Sequence, residues 1–223
     1  MIVTLHSTPH STPHSTRDGT TAQPASTTLI RGADLVATPW KNGGGITREV
    51  AAFPEGAGLD TFVWRVSVAD VAQAGPFSRF AGIDRTLVLL SGAGMLLDET
   101  DHASVLNTHA LTQPLDIARF AGEAHIDARL VDGETRDFNL MVRRGAAAGE
   151  VEVWRGGTQR DLSADVVLLF CASGPVAISL GAGVQPFALD TGDTLRIDTP
   201  NALSCTVEGA GALLAISLRY AQR

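Results

Sequence analysis

The chain has 223 residues, which fits one large β domain or two small ones. Seventeen Lys and Arg against 24 Asp and Glu leave a formal charge of −7, which argues against broad binding to nucleic acid or anionic membranes. The apolar share of 44% suffices for a real core, and no apolar run approaches the ~18 residues that span a bilayer.

The start is polar and lacks an apolar stretch before a small-residue cleavage site, so the default compartment is a reducing cytoplasm. Residues 6–16 read HSTPHSTPHST and hold three of the six histidines. A metal-binding tract is one reading of such a repeat. We read residues 1–28 as a disordered tail, because Pro, Ser and Thr bury little and nothing fixes the histidines in one geometry.

From Leu29 onward, short strand-like runs alternate with Gly, Pro and Asp, which predicts an all-β sandwich or barrel. The segment DLVATPW (34–40) is one short helical candidate, broken at Pro39. Next comes PWKNGGGITREV (39–50). A phosphate loop needs its Lys after the glycines and a helix beyond. Here Lys41 precedes them and a strand-like run follows, so the triplet is read as a bend or a close backbone approach. Trp40, Lys41 and Asn42 then project from a fixed bend. On the strand that follows, Thr47 and Glu49 share a face.

In FVWRVSVAD (62–70), Trp64, Val66 and Val68 share one face, and Arg65 and Ser67 the other. An Arg inside an apolar strand either faces water or lies in a polar cavity with a partner, for which Glu49 is a candidate. GPFSRFAGIDRTL (75–87) is a turn-rich connector. Phe77 and Phe80 either wall a pocket or pack on the core, and Arg85 either grips a carboxylate or pairs with Asp84 or Asp137. In DGETRDFNLMVRRG (132–145), Asp137 and Asn139 share a face, and an Asn within a strand implies a specific polar duty.

The chain also repeats itself. RTLVLLSGAG (85–94) matches DVVLLFCASG (165–174), and residues 110–133 match 188–209 at a similar offset, which implies two related β units. Cys171 and Cys205 lie in apolar segments and read as free buried thiols, with a disulfide as the alternative. His102, His109 and His125 form neither H-x-H nor H-E-x-x-H spacing, and no G-x-S-x-G is present. The pattern therefore predicts no metal, no cofactor and no Ser-His-Asp assembly.

Taken in order, WKNGGGITREV, WRVSVADV, GPFSRFAGIDRTLVLLSGAG and DFNLMVRRG resemble the HutD/Ves family over roughly residues 29–220. Ala81 and Ala121 depart from the family pattern, where proline is expected after Phe. The resemblance implies a cupin-like double-stranded β-helix in two barrel halves, a bicupin, with residues 29–145 carrying the pocket and 146–223 forming the second half. It implies a role in bacterial histidine utilisation, through binding of a small carboxylate intermediate such as urocanate or N-formylglutamate. On this basis Trp40 and Phe77 wall the pocket, and Lys41, Arg65 and Arg85 are candidates for the carboxylate. Asn42, Thr47, Ser67 and Asn139 orient polar atoms, and Glu49 holds Arg65 or reads a ligand donor. The alternative is an isomerase or hydrolase with Glu49 as general base. A sheet edge offers a route to a homodimer.

Overall fold

The computed structural model describes residues 25–101, 104–183 and 185–222. The HSTP repeat and His102 lie outside the described residues. In chain order the first strands are β1 (Ser26–Ile30), β2 (Ala37–Pro39), β3 (Gly45–Phe53), β4 (Trp64–Val71), β5 (Gly75–Pro76) and β6 (Ile83–Ser91). Next come β7 (Met95–Asp101), β8 (Ser104–Leu111), β9 (Ile117–Ala121), β10 (His125–Leu130) and β11 (Thr135–Arg143). The remainder are β12 (Ala147–Arg155), β13 (Gln159–Leu162), β14 (Val166–Ser173), β15 (Val176–Leu180), β16 (Phe187–Leu189), β17 (Thr194–Asp198), β18 (Leu203–Gly209) and β19 (Ala212–Tyr220). The described helix is one 3₁₀ turn, Gly32–Asp34. No described helix is long and apolar enough to cross a membrane.

Among the described residues four antiparallel sheets form, and their strand orders contain the repeat. One six-stranded sheet runs β2-β3-β4-β11-β6-β9, and a four-stranded sheet runs β5-β10-β7-β8. A five-stranded sheet runs β1-β17-β14-β19-β12, and the last runs β13-β18-β15-β16. Advancing each strand from β4 to β11 by eight reproduces the pairing order of β12 to β19. The two units therefore share a topology.

Alternation along the strands sorts side chains into layers. Trp64, Val66, Val68, Phe138, Leu140 and Val142 of the six-stranded sheet meet Leu168, Phe170, Leu214, Ile216 and Leu218 of the five-stranded sheet in the central core. The opposite face of the six-stranded sheet contributes Ala69, Val71, Leu87 and Leu89 to a second core, closed by Met95, Leu97 and Ile126. The equivalent core of the second unit is built from Leu169, Cys171, Ile178, Leu195, Val207 and Leu213. Cys171 and Cys205 are free and buried.

Two local readings are corrected. Ser26–Thr28, placed by sequence in the tail, belong to β1, which pairs with β17 from Ser26↔Asp198 to Ile30↔Thr194. Arg31 anchors this arm through an ion pair with Asp193 at 2.6 Å, and the Gly32 amide donates to the same carboxylate at 2.9 Å. The helical candidate at 34–40 begins on the last residue of the 3₁₀ turn and then becomes a strand: Ala37, Thr38 and Pro39 pair with Arg48, Thr47 and Ile46. Proline disfavours helix at the residue before it and is tolerated on an edge strand, which is what β2 is.

The glycine triplet turns β2 into β3. Gly43 has φ +70, and its amide donates to the Trp40 carbonyl at 3.0 Å. A Cβ on Gly45 would collide with the backbone carbonyl of Asp70 and lie 3.2 Å from the Trp40 ring. So one glycine serves the turn and another lets two backbones approach beneath Trp40. Gly45→Ala is expected to lower stability by about 1–3 kcal/mol in chemical denaturation, as overpacking does. A change below about 0.5 kcal/mol would contradict this close approach.

Candidate functional site

The face of the six-stranded sheet that looks into the first unit carries an unusual polar load. Its register places Glu49 opposite Ser67 and Ser67 opposite Asn139. One step along, Arg65 lies opposite Met141, and Met141 opposite Arg85. One step the other way, Thr47 lies opposite Ala69, and Ala69 opposite Asp137. Strand alternation thus brings side chains from four neighbouring strands, far apart in sequence, onto one surface.

Their contacts form two linked sets. Arg65 Nε donates to Glu49 Oε2 at 2.7 Å, and Arg65 Nη1 donates to Ser67 Oγ at 3.2 Å. The Arg65 side chain is mostly buried, whereas that of Glu49 is exposed. Arg85 Nε donates to Asn139 Oδ1 at 3.4 Å, and its Nη1 reaches the Ser78 carbonyl at 3.5 Å. The Arg85 guanidinium lies 5.2, 5.8 and 5.1 Å from the ring centres of Phe77, Phe80 and Phe120. Such distances give cation–π attraction, which partly replaces lost water.

Arg85 is 7% exposed and Asp137 2%. Burial lowers the Arg85 pKa to about 10, with Asp137 opposing the shift and Arg65 adding to it, so Arg85 remains charged at neutral pH. Burial also pushes the Asp137 carboxyl up to about 7, against the pull of Arg85. Two cations thus share this interior with Glu49, already engaged by Arg65, and with a carboxyl that is only partly ionised near neutrality.

Trp40 and Phe77 pack at the edge of the first unit's core. Trp40 Nε1 donates to Thr47 Oγ1 at 2.7 Å. With Asn42 and residues 73–76, these two aromatics line a cavity of about 30 Å³. That is room for about two waters at ~10–15 Å³ each. The Asn42 Oδ1 accepts from the Gly44 amide at 3.0 Å, so this side chain holds the bend. Lys41 is exposed on the same bend and makes no hydrogen bond or ion pair with the described residues. The structure therefore gathers Glu49, Arg65, Ser67, Arg85 and Asn139 directly. Trp40, Thr47 and Phe77 stand at one side, and Lys41 and Asn42 remain on the rim.

Of the alternatives open for Arg85, Asp84 is excluded as its partner, since Asp84 pairs with Arg144 at 2.6 Å. Sequence reasoning undervalued two features. Phe120 completes the aromatic wall around Arg85, but its position depends on β9 pairing with β6. The opposite wall carries His109 and Glu99, 3.8 Å apart, with Asn107 3.4 Å from the His109 ring. These lie on β7 and β8, and the closing of the two sheets brings the His109 ring to 6.0 Å from the Phe120 ring. Among the described residues, no three His, Cys, Asp or Glu side chains form a metal-binding group.

The fold and this interior define a cupin-like all-β protein. An oxalate decarboxylase from Bacillus subtilis shares the architecture, with TM-score 0.57 at 9% identity over 87% of this chain and 77% of its own. At that identity the likeness concerns the fold alone. The HutD family model matches residues 32–215, and the chain belongs to the HutD family. A 21.2 kDa protein in the hutC 3′ region of Pseudomonas putida is 36% identical over 194 residues, covering 86% of this chain and 97% of that protein. Protein Ves of Escherichia fergusonii is 38% identical over 115 residues, 51% of this chain and 56% of its own length. The structure of HutD from Pseudomonas fluorescens SBW25, described as a formate condition, aligns with TM-score 0.75 at 32% identity, over 87% of this chain and 99% of its own.

The raised pKa of Asp137 fixes a stability trend. Its folded value, about 7, exceeds the ordinary 3.8, so the folded state binds more protons than the unfolded state between about pH 4 and 7. Stability from this group is present below about pH 4, falls as pH rises through that window and is level above it. Asp137→Asn, which cannot ionise, should therefore gain on the wild type as pH rises from 5 to 8, by up to about 1.4 kcal/mol per unit within the window. Parallel denaturation curves at pH 5, 6.5 and 8 measure this. A difference that does not grow with pH would contradict it.

Proposed function

We propose that the polar interior of the first unit binds a small carboxylate intermediate of histidine breakdown, urocanate or N-formylglutamate, and that occupancy modulates histidine utilisation. The two units are then cupin-like halves divided near residue 145, with the β1 arm crossing onto the second. One observation carries the reading. The second unit repeats the strand order of the first yet fills its interior with Leu, Ile, Val and Cys. The topology therefore does not require buried Ser67, Arg85, Asp137 and Asn139. Buried polar groups of this kind cost stability unless partnered, so their concentration in one unit points to a ligand.

The ligand's charge follows from the cations. Arg65 and Arg85 present guanidinium groups suited to planar oxygen pairs, and Asn139 and Ser67 add neutral hydrogen-bonding groups between them. Trp40 and Phe77 supply flat apolar walls. The cavity of about 30 Å³ beside Trp40 and Phe77 has neither arginine in its lining and is smaller than urocanate, so binding at the arginines calls for rearrangement of the interior. Membership of the HutD family and the relative in the hutC 3′ region support the link to histidine utilisation.

The enzyme alternative assigns Glu49 as general base. Its bond to Arg65 favours a positioning role, because the carboxylate is already engaged by the guanidinium. Calorimetric titration with urocanate and N-formylglutamate tests the reading. Arg65→Gln should weaken binding at least about tenfold while the protein stays folded, since a charge-assisted bond contributes roughly 1.5–3 kcal/mol. Arg65→Lys should recover only part of the affinity. Unchanged affinity in Arg65→Gln removes Arg65 from the site, and steady conversion of either ligand supports the enzyme instead.

A further inference from the structure

Asp137 differs from the other acids of this interior. Glu49 is held by Arg65, and Glu99 lies beside His109. Asp137 makes no side-chain hydrogen bond with the described residues, although it is only 2% exposed. Its register partners, Ala69 and Leu89, belong to the core of the first unit, so its carboxyl faces inward. It stands two residues from Asn139, the partner of Arg85. A carboxyl placed there has an arginine near it but no donor committed to it.

We propose that Asp137 is a proton-carrying ligand group: as a neutral carboxylic acid it donates a hydrogen bond to a carboxylate anion held by Arg65 and Arg85. This rests on the pocket reading above and adds the protonation chemistry of the site. Before binding, Arg85 offsets part of the cost of a charged Asp137. An incoming carboxylate engages Arg85 and sets a second negative charge beside Asp137 in a poorly solvated space. Two carboxylates in contact do not both stay ionised, so one proton passes from solvent to an Asp137 oxygen, and no bond in the ligand changes. The site then selects anions with a free acceptor oxygen and binds them more weakly as pH rises. The free carboxyl titrates near 7, which places the change in the neutral range.

Other charged groups face the same space. They are Glu49 from β3, Arg65 from β4, Arg85 from β6, Glu99 from β7 and His109 from β8. The inward residues of β10, Ile126 and Ala128, are apolar. Asp70, on the other face of β4, adds a small push in the same direction as burial. His109 is the one imidazole among these groups, so the test must separate it from Asp137.

The test is calorimetry with formate and with N-formylglutamate, whose acids are ionised throughout pH 6–8.5, in two buffers of different ionisation heat. The wild type should take up close to one proton on binding at pH 8 and should bind at least about tenfold more weakly at pH 8.5 than at pH 6. Asp137→Asn, which keeps a donor but cannot ionise, should bind within about threefold of wild type at pH 6, with no proton uptake and no dependence on pH. His109→Gln should keep the wild-type dependence. Binding by wild type without proton uptake overturns the inference and leaves the carboxylate pocket standing. So does an Asp137→Asn that retains the pH dependence or binds poorly at pH 6, or a His109→Gln that abolishes that dependence. If wild type binds neither probe at pH 6, both the pocket and its proton-carrying acid are overturned.

Discussion

A guanidinium enclosed by protein is costly unless aromatic faces and hydrogen bonds replace its water, and Arg85 is the group around which the first unit is arranged. Three phenylalanines surround it at cation–π distance. They come from the connector 72–82 and from β9, so both must fold against β6 before the charge is sheltered. Asn139 and the Ser78 carbonyl accept its hydrogens, at the long end of hydrogen-bond range. Its buried neighbour Asp137 is only partly ionised near neutrality, so Arg85 itself lacks a full counter-charge. An anionic ligand would supply it.

The second unit serves as an internal control. It repeats eight strands in the same pairing order and closes over an apolar interior that includes two thiols shifted by burial to about 11. Such thiols behave as small hydrophobic groups. A β unit of this design is therefore stable with a greasy centre. On its inward face the first unit departs from that solution at Arg65, Ser67, Arg85, Asp137 and Asn139. On the opposite face of the same strands, Trp64, Val66, Phe138 and Leu140 complete an ordinary core against the second unit.

Much of this was legible in the sequence because β structure writes its faces in alternate letters. The period of two separated Arg65 and Ser67 from Trp64 and Val66, and Asp137 and Asn139 from Phe138 and Leu140. The pairing of Glu49 with Arg65 followed from the same count once β3 and β4 were taken as neighbours. The glycine triplet also yielded to local rules, as a bend and a close approach. What stayed hidden depends on sheet closure. Phe120 beside Arg85, and His109 and Glu99 on the far wall, are set by which strands meet across the unit, and spacing along the chain does not encode that. The β1 arm was missed for a related reason. Ser26–Thr28 carry no apolar pattern, and their order comes from β17 and from Arg31 anchored on Asp193.

The central claim is that the first unit, and not the second or a surface groove, holds a carboxylate between Arg65 and Arg85. A crystal structure of the protein with N-formylglutamate or urocanate tests it most directly. The account predicts a ligand carboxylate inside the first unit, with its oxygens about 2.7–3.2 Å from both guanidinium groups and the interior rearranged around it. A ligand bound elsewhere, or seated in the first unit with its carboxylate turned away from both arginines, would contradict it.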